Sequence, residues 1–193
     1  MRRKKLITIK DLDKWGSCSR GDGERYSDDR LHKLLRGRKG WTPADVSRMR
    51  SVPSEDRIWV LLRPEVLGRD GLLRVVDAIA DRAVRRHALH CGVGSVEAWA
   101  RRWLSGEDRT EAAAWAVADA SPADASARAA ARVAALAARA AGLAAAPARV
   151  AWLAAGAAAD AAWARVAAAW AAEAVEDAER RWQLSLIRRE VAA

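Results

Sequence analysis

The sequence predicts an all-α protein, an antiparallel bundle of long alanine-rich helices with a small irregular region of short helices before it. Alanine, the residue with the highest helix propensity, dominates from Glu111 to Ala178. Apolar residues elsewhere recur at helical spacing between capping and helix-breaking residues. Short loops at Gly106, Ser121 and Pro147 favour antiparallel packing of consecutive helices.

Three regions are expected along the chain. Residues 1–26 are predicted to be a basic flexible arm, because glycine, serine and aspartate are frequent there. Within this arm, residues 6–9 could form a short strand. Residues 27–68 are predicted to be a subdomain of short helices, and residues 69–193 the Ala/Trp-rich bundle.

Three short helices are expected in the second region. Ser27 can cap the first, because its side chain can accept a hydrogen bond from a free N–H group of the helix start. Thr42 followed by Pro43 combines a cap with a residue suited to the first helical position. Ser51 or Ser54 can begin the third helix, which Pro64 ends. The predicted helices cover 28–36, 43–50 and 55–63.

Longer helices are expected in the third region. The first runs from about Arg69 to near Cys91, and its predicted buried face consists of Leu72, Leu73, Val75, Val76, Ile79, Ala80, Ala83 and Val84. The next runs over 96–105, capped by Ser95 and closed by Gly106. The remaining predicted helices cover 111–120, 122–145 and 147 to the C-terminus.

The helix over 122–145 has two different sides. Arg128, Arg132 and Arg139 fall on one of them. The other is alanine only and consists of Ala127, Ala131, Ala134, Ala138 and Ala141. An alanine face lets another helix approach more closely than the usual axial distance of about 8–10 Å.

The last predicted helix carries a seam of alternating large and small residues, formed by Trp152, Gly156, Ala159, Trp163, Val166 and Trp170. The 4-3-4-3-4 spacing is typical of helices that pack in register. We expect these tryptophans to lie over alanine faces, either within the chain or in an oligomer. A second stripe of Leu184, Ile187 and Val191 follows, so the helix either bends there or packs against a different partner.

The net charge of +9 is unevenly distributed. Residues 1–70 hold 18 Lys/Arg and 11 Asp/Glu, whereas the remaining residues hold 16 and 14. A basic front end favours anionic partners, such as nucleic acid, nucleotides or an acidic protein surface. The alternative is a basic surface that is merely solvated.

Cysteine usage and hydropathy predict a cytoplasmic protein. The two cysteines, Cys18 and Cys91, do not make a disulfide framework. The apolar run over 6–9 is too short for a signal peptide. Charged residues such as Asp160 and Arg165 interrupt the alanine-rich region, so no membrane span is predicted.

His87, His90 and Cys91 are the best metal candidates in the chain. On a helix, His87 and Cys91 are one turn apart and could face one ion. No fourth ligand can be identified, and the alternative is a helix C-terminus at which histidines interact favourably with the dipole. No metal or cofactor is therefore predicted.

Two clusters of arginine and tryptophan are candidate binding sites. They are Trp99, Arg101, Arg102 and Trp103 in one segment, and Arg180, Arg181 and Trp182 in another. Indole and guanidinium planes stack on nucleobases, and arginine binds phosphate. The alternative is a pair of core tryptophans flanked by solvated arginines.

Three stretches carry a resemblance to a known family. They are residues 56–63, residues 95–99 with 103–107, and residues 178–183. The chain resembles the helical immunity-protein family, and related uncharacterised Ala/Trp-rich proteins of high-GC bacteria and their phages. The resemblance implies an all-α fold and a role in toxin immunity. It supplies no active site and does not cover the N-terminal arm.

The sequence nominates no paired acid and base, no nucleophile with a base and no complete ligand set, so we expect the protein not to be an enzyme. We expect a non-enzymatic interaction protein, an immunity or phage counter-defence factor that binds a partner protein. The alternative is an anion-binding module that captures a nucleotide or nucleic acid through the basic front end and the Arg/Trp clusters.

Overall fold

The computed structural model describes residues 6–15, 26–120, 125–142 and 172–192, and this part of the chain is mostly helical. The predicted all-α class is confirmed. None of the described helices is both long and apolar enough to cross a membrane. In chain order the described helices are α1 Ile9–Lys14, α2 Asp28–Leu35, α3 Pro43–Arg48, α4 Ser54–Leu61, α5 Pro64–His87, α6 Gly94–Ser105, α7 Glu111–Ala120, α8 Ala125–Gly142 and α9 Ala172–Ala192.

Helix α5 lies at the centre of the described helices, since α6, α8 and α9 all pack against it. Its apolar face is the one that the helical spacing predicts. Leu72, Val76 and Ile79 are each 0% exposed, and only Leu73 of the predicted face is half-buried. Burial of large aliphatic side chains contributes about 1.5–3 kcal/mol each, so this face is a major source of stability.

The start of α5 differs from the prediction. Pro64 does not stop a helix there but is the first residue of α5, where its missing N–H group costs nothing. Gly68 has φ 73° and interrupts the helical geometry, so the regular part of α5 begins at Arg69, as expected. The predicted boundary between residues 68 and 69 therefore falls at this interruption of α5.

Helix α8 packs against both α5 and α7 and buries its alanine side. Ala127, Ala131 and Ala134 are 0% exposed, whereas Arg132 and Arg139 are exposed. These residues lie as the sequence predicts, whereas Ala138 of the alanine side is half-buried, and Val133 is also fully buried. Close packing around these small side chains predicts that a larger one at Ala134 is unfavourable.

Helix α9 packs against α3, α4 and α5, and so joins the short helices at the front to the long ones behind them. Its buried residues Leu184 and Ile187 belong to the predicted second stripe, whose third member, Val191, is half-buried. The tryptophan seam over 152–170 lies outside the described residues, as does the connection between α8 and α9.

The short front helices begin where the capping signals place them. The Ser27 side chain accepts a hydrogen bond from the Arg30 backbone N–H, at 3.3 Å. Thr42 and Asp45 form a reciprocal capping box at the start of α3. Ser54 and Ser95 are not caps, because each already lies inside the first turn of its helix, α4 or α6.

Residues 6–15 differ from the expected flexible arm and strand. Ile7 pairs with Trp41 through two backbone hydrogen bonds of 2.8 and 2.9 Å, and its side chain is 3% exposed. Thr8 and Asp11 then form a second capping box, which begins α1. A Cβ atom on Gly40 would lie 2.7 Å from the Ile7 carbonyl oxygen, so this pairing requires glycine at position 40.

Thr42→Ala should lower the free energy of unfolding by about 0.5–2 kcal/mol, because it removes one side of the capping box of α3. Hydrogen bonds from the Thr42 side chain and backbone lower the pKa of Asp45. The stabilisation is thus present at neutral pH and lost as the pH falls through the lowered pKa of Asp45. Urea unfolding at neutral and acidic pH measures both effects. Thr42→Ser, which keeps the hydroxyl, is the control, and an unchanged urea midpoint in Thr42→Ala would contradict the assignment.

Ala134→Leu should destabilise the protein by about 1–3 kcal/mol, because the buried side of α8 cannot take a larger side chain. Ala116→Leu on the exposed side of α7 is the matched control and should leave the melting temperature nearly unchanged. Thermal unfolding followed by circular dichroism compares the two variants. Equal melting temperatures would show that the alanine side of α8 is loosely packed.

Candidate functional site

Trp99 and Trp103 lie in the core. Each is 1% exposed, and their ring centroids are 5.9 Å apart at an interplanar angle of 45°. The indole N–H of Trp103 donates a hydrogen bond of 3.0 Å to Asp81 Oδ1. Neither ring offers an open face to a nucleobase, so the geometry favours the core-pair interpretation of these residues.

Arg101 and Arg102 are exposed, away from the two indoles. Arg101 pairs with Glu97 one helical turn earlier, at 3.3 Å. The arginine that does contact this pair is Arg109, which lies over the Trp103 ring at 5.4 Å and pairs with Asp81 at 3.0 Å. The predicted cluster therefore separates into a buried aromatic pair and a solvated arginine side.

Asp81 and Arg109 are the charged residues that contact Trp103. Burial raises the pKa of Asp77, one turn before Asp81, and the charge of Arg109 opposes that shift. The sequence did not reveal this pairing because Asp81 and Arg109 are 28 residues apart. Asp81, Arg109 and the Trp103 indole form a structural network rather than an open site.

The second predicted cluster also contains a partner that the sequence did not reveal. Glu179 is 4% exposed and accepts a hydrogen bond of 3.0 Å from Arg82 Nε on α5. Arg86 lies 3.7 Å from the same carboxylate oxygen. The guanidinium of Arg82 also stacks over the Trp182 ring at 4.1 Å. These contacts join α5 to α9 through a buried ion pair.

Arg180 and Arg181 are engaged with carboxylates of the same chain. Arg180 pairs with Glu176 one turn earlier and, at 3.4 Å, with Glu55 on α4. Arg181 pairs with Asp177 at 3.7 Å on the solvent side. Of the two, only Arg180 links α9 to another helix, whereas Arg181 is paired within α9, and both charges already have carboxylate partners.

Other arginines cover aromatic rings that are partly exposed. Arg63 lies over the Trp59 ring at 3.9 Å and 5.6 Å from the Trp15 centroid. Arg30 lies 5.2 Å from the Tyr26 ring centroid. Cation–π contacts of this kind are part of the packing of the front helices. They also occupy ring faces that a nucleobase would otherwise stack on.

The proposed metal ligands do not converge. Helix α5 ends at His87, so Cys91 does not follow His87 by one helical turn, as the sequence predicted. His87 is 8% exposed, whereas His90 is exposed and the Cys91 sulfur lies 4.0 Å from the Val93 carbonyl oxygen. In the described ranges, no group of three or more His, Cys, Asp or Glu could hold a metal ion.

Within the described part of the front end, exposed basic side chains are concentrated on α2, α3 and the turns after them. We call them the front basic surface, which consists of Lys33, Arg36, Arg38, Lys39, Arg48 and Arg50. Of these, only Arg38 pairs with a carboxylate within the described part of the chain, that of Asp45 at 3.8 Å. Most of these charges therefore have no ion-pair partner among the described residues.

Arg36 occupies an unusual position within this surface. It closes α2 in the left-handed region, with φ 48° and ψ 45°. A residue with a Cβ atom adopts this conformation at a cost of roughly 1–2 kcal/mol. Its backbone N–H still donates to the His32 carbonyl at 3.2 Å, and its side chain points into solvent.

Arg82→Ala should lower the free energy of unfolding by about 3–5 kcal/mol, because it leaves the buried Glu179 carboxylate without its nearest partner and removes the stack on Trp182. Arg86→Ala is the matched control, since Arg86 is half-exposed and farther from the carboxylate. Its expected cost is at most about 1 kcal/mol. Urea unfolding of both variants measures the difference, and equal losses would contradict the assigned role of Arg82.

Comparison of the chain with protein-family models, with curated proteins and with solved structures finds no match. What the protein binds is therefore argued from its own residues.

Proposed function

We propose that this protein is a non-enzymatic interaction protein whose front basic surface binds an acidic surface of a partner protein, and that it acts in this way as an immunity or counter-defence factor. The observation that carries the proposal is the group of six exposed basic side chains, which have a single carboxylate partner among the described residues. Arginines elsewhere, such as Arg82, Arg109 and Arg180, are paired with carboxylates of the chain itself.

Neighbouring charges of one sign create a positive potential that extends beyond the surface. Such a potential can raise the association rate with an oppositely charged partner by roughly 10–1,000-fold. Of the short helices that carry these charges, α3 begins at a capping box and contacts α9, and α2 buries Leu31 and Leu35 in the core. The packing of these helices favours recognition of a defined acidic surface.

The arrangement of the aromatic residues favours a protein partner over a single-stranded nucleic acid. Base stacking on open aromatic rings supplies much of the affinity for single strands. Here Trp99 and Trp103 are buried, and Trp59, Trp182 and Tyr26 are covered by arginines of the chain. The family resemblance of the sequence, which implies toxin immunity, is in line with a protein target.

Capture of a nucleotide or nucleic acid is the second candidate. The same unneutralised charges favour it, because cationic side chains displace counterions from a phosphate backbone. Binding of this kind weakens steeply with salt. An acidic protein surface lacks the condensed counterions of a phosphate backbone, so its binding weakens less steeply with salt, and the salt dependence separates the two candidates.

Charge reversal of the front basic surface should abolish partner binding. Lys33→Glu, Arg36→Glu and Lys39→Glu are combined in one variant. The full-length protein is immobilised, exposed to nuclease-treated lysate of its native host at moderate salt, and analysed by mass spectrometry. We expect one stoichiometric protein on the parent chain and none on this variant, because the steering charges are inverted.

The matched control combines Arg85→Glu, Arg132→Glu and Arg189→Glu, which change the net charge equally at exposed positions on α5, α8 and α9. This control should retain the partner, and both variants should melt like the parent. Equal loss from both variants would show that binding follows net charge and would contradict the proposal. A co-purifying nucleotide in place of a protein would support the second candidate.

Arg36→Gly sharpens the same test. Glycine adopts the left-handed conformation without strain, so this substitution removes a charge of the front basic surface without disturbing the end of α2. Weaker binding together with an unchanged melting temperature would separate the binding role of Arg36 from any role in folding.

A further inference from the structure

Two arginines from distant parts of the chain meet at the C-terminal end of α3. Arg57 Nη1 on α4 donates a hydrogen bond of 3.0 Å to the Ser47 carbonyl oxygen. Arg188 Nη2 on α9 donates to the same oxygen. Carbonyls in the last turn of a helix have no partner within the helix, so they accept from other groups. A single oxygen atom thus brings two guanidinium groups together.

These two positive charges have no negative partner. Neither Arg57 nor Arg188 forms an ion pair with a carboxylate of the described residues, in contrast to Arg180 and Arg74, which pair with Glu55 and Glu190. The carbonyl of Ser47 offers only a partial negative charge. Two adjacent guanidiniums repel each other, and a bound anion would remove that repulsion.

Arg57 is also partly withdrawn from water. Its Nε atom is buried and has no hydrogen-bond partner. Burial lowers the pKa of Arg57, and the charge of Arg188 lowers it further. A guanidinium has five N–H donors in a fixed fork, of which Arg57 uses one for Ser47. Apart from the buried Nε–H, its remaining donors have no hydrogen-bond partner among the described residues, and the neighbouring Arg188 is exposed to an approaching acceptor.

We propose that Arg57 and Arg188 form a binding site for a dianionic phosphate group, either inorganic phosphate or the terminal phosphate of a small molecule. A phosphate monoester carries a charge of about −1.5 to −2 at neutral pH, which matches the two guanidiniums. A carboxylate or a phosphodiester carries only one negative charge. Arginine forks bind phosphate oxygens with two parallel hydrogen bonds, which adds geometric selectivity.

The site is distinct from the front basic surface and does not depend on the proposed function. It uses side chains of α4 and α9, whereas the front basic surface is carried by α2, α3 and the adjoining turns. Substitutions at Arg188 therefore test this inference, and the charge reversals at residues 33, 36 and 39 test the proposed function. Either can fail without the other.

The test uses the full chain, titrated calorimetrically with inorganic phosphate at constant ionic strength, with acetate as the monoanion for comparison. Thermal unfolding in the same buffers provides a second measurement. At phosphate concentrations about ten times Kd, we expect the melting temperature to rise by roughly 3–6 °C. Acetate should give no such rise, since one charge does not neutralise two guanidiniums.

Arg188→Gln should weaken phosphate binding by roughly tenfold or more, because it removes one guanidinium of the pair. Arg189→Gln, the adjacent exposed arginine on the same helix, is the matched control and should bind like the parent. Arg188→Lys keeps the charge without the fork and should bind with intermediate affinity. Arg57→Gln should abolish the effect of phosphate, and if it fails to fold, the Arg188 variants decide the question.

Adenosine monophosphate and a single-stranded oligonucleotide without a terminal phosphate identify the source of the anion. Binding of inorganic phosphate or of adenosine monophosphate that is lost in Arg188→Gln supports the site. Equal stabilisation of the parent and Arg188→Gln by phosphate would overturn the proposal. Equal stabilisation by acetate, or Arg188-dependent binding of the oligonucleotide as tight as that of phosphate, would overturn the dianion assignment.

Discussion

Burial of the apolar face of α5 is the constraint on which the described structure depends. Leu72, Val76 and Ile79 are fully withdrawn from water, and three separate helices are needed to cover the helix that carries them. The three covering helices pack against α5 with different kinds of side chain. Helix α8 presents alanines, α6 presents two large indoles, and α9 presents aliphatic residues together with the buried carboxylate of Glu179.

Electrostatics divide the molecule into two parts. Several charges of α5 and α9 come in pairs, because a buried carboxylate such as Glu179 is tolerated only beside a cation. On α2, α3 and the adjoining turns, most of the exposed positive side chains have no carboxylate partner among the described residues. Arg57 is half-buried and Arg188 is exposed, and neither forms an ion pair with a carboxylate of the described residues. Neutralisation within the described part of the chain is therefore incomplete at two places, the front basic surface and the Arg57–Arg188 pair.

Local signals predicted most of the helices, since a cap acts within three or four residues of the helix start. The capping box at Thr42 and the left-handed Gly106 at the end of α6 are of this kind. The sequence could not show which arginines are neutralised, because Arg82 and Glu179 are 97 residues apart. The sequence spacing of Trp99 and Trp103 is compatible with a core pair and with a binding site. Only the structure shows which side of α6 packs against α5. The Thr8–Asp11 box was visible in the sequence, but the glycines after it led to the prediction of a flexible arm.

The contacts of α9 also set the order in which the chain can complete its fold. Arg188 reaches the Ser47 carbonyl across 141 residues, and Glu190 reaches Arg74 across 116. During synthesis, the sides of α3, α4 and α5 that α9 covers stay uncovered until the last helix has left the ribosome. Contacts of such sequence separation slow folding and prolong the exposure of apolar surface. The front helices and α9 thus bury surface against each other, and a nascent chain halted before α9 would leave that surface exposed to water.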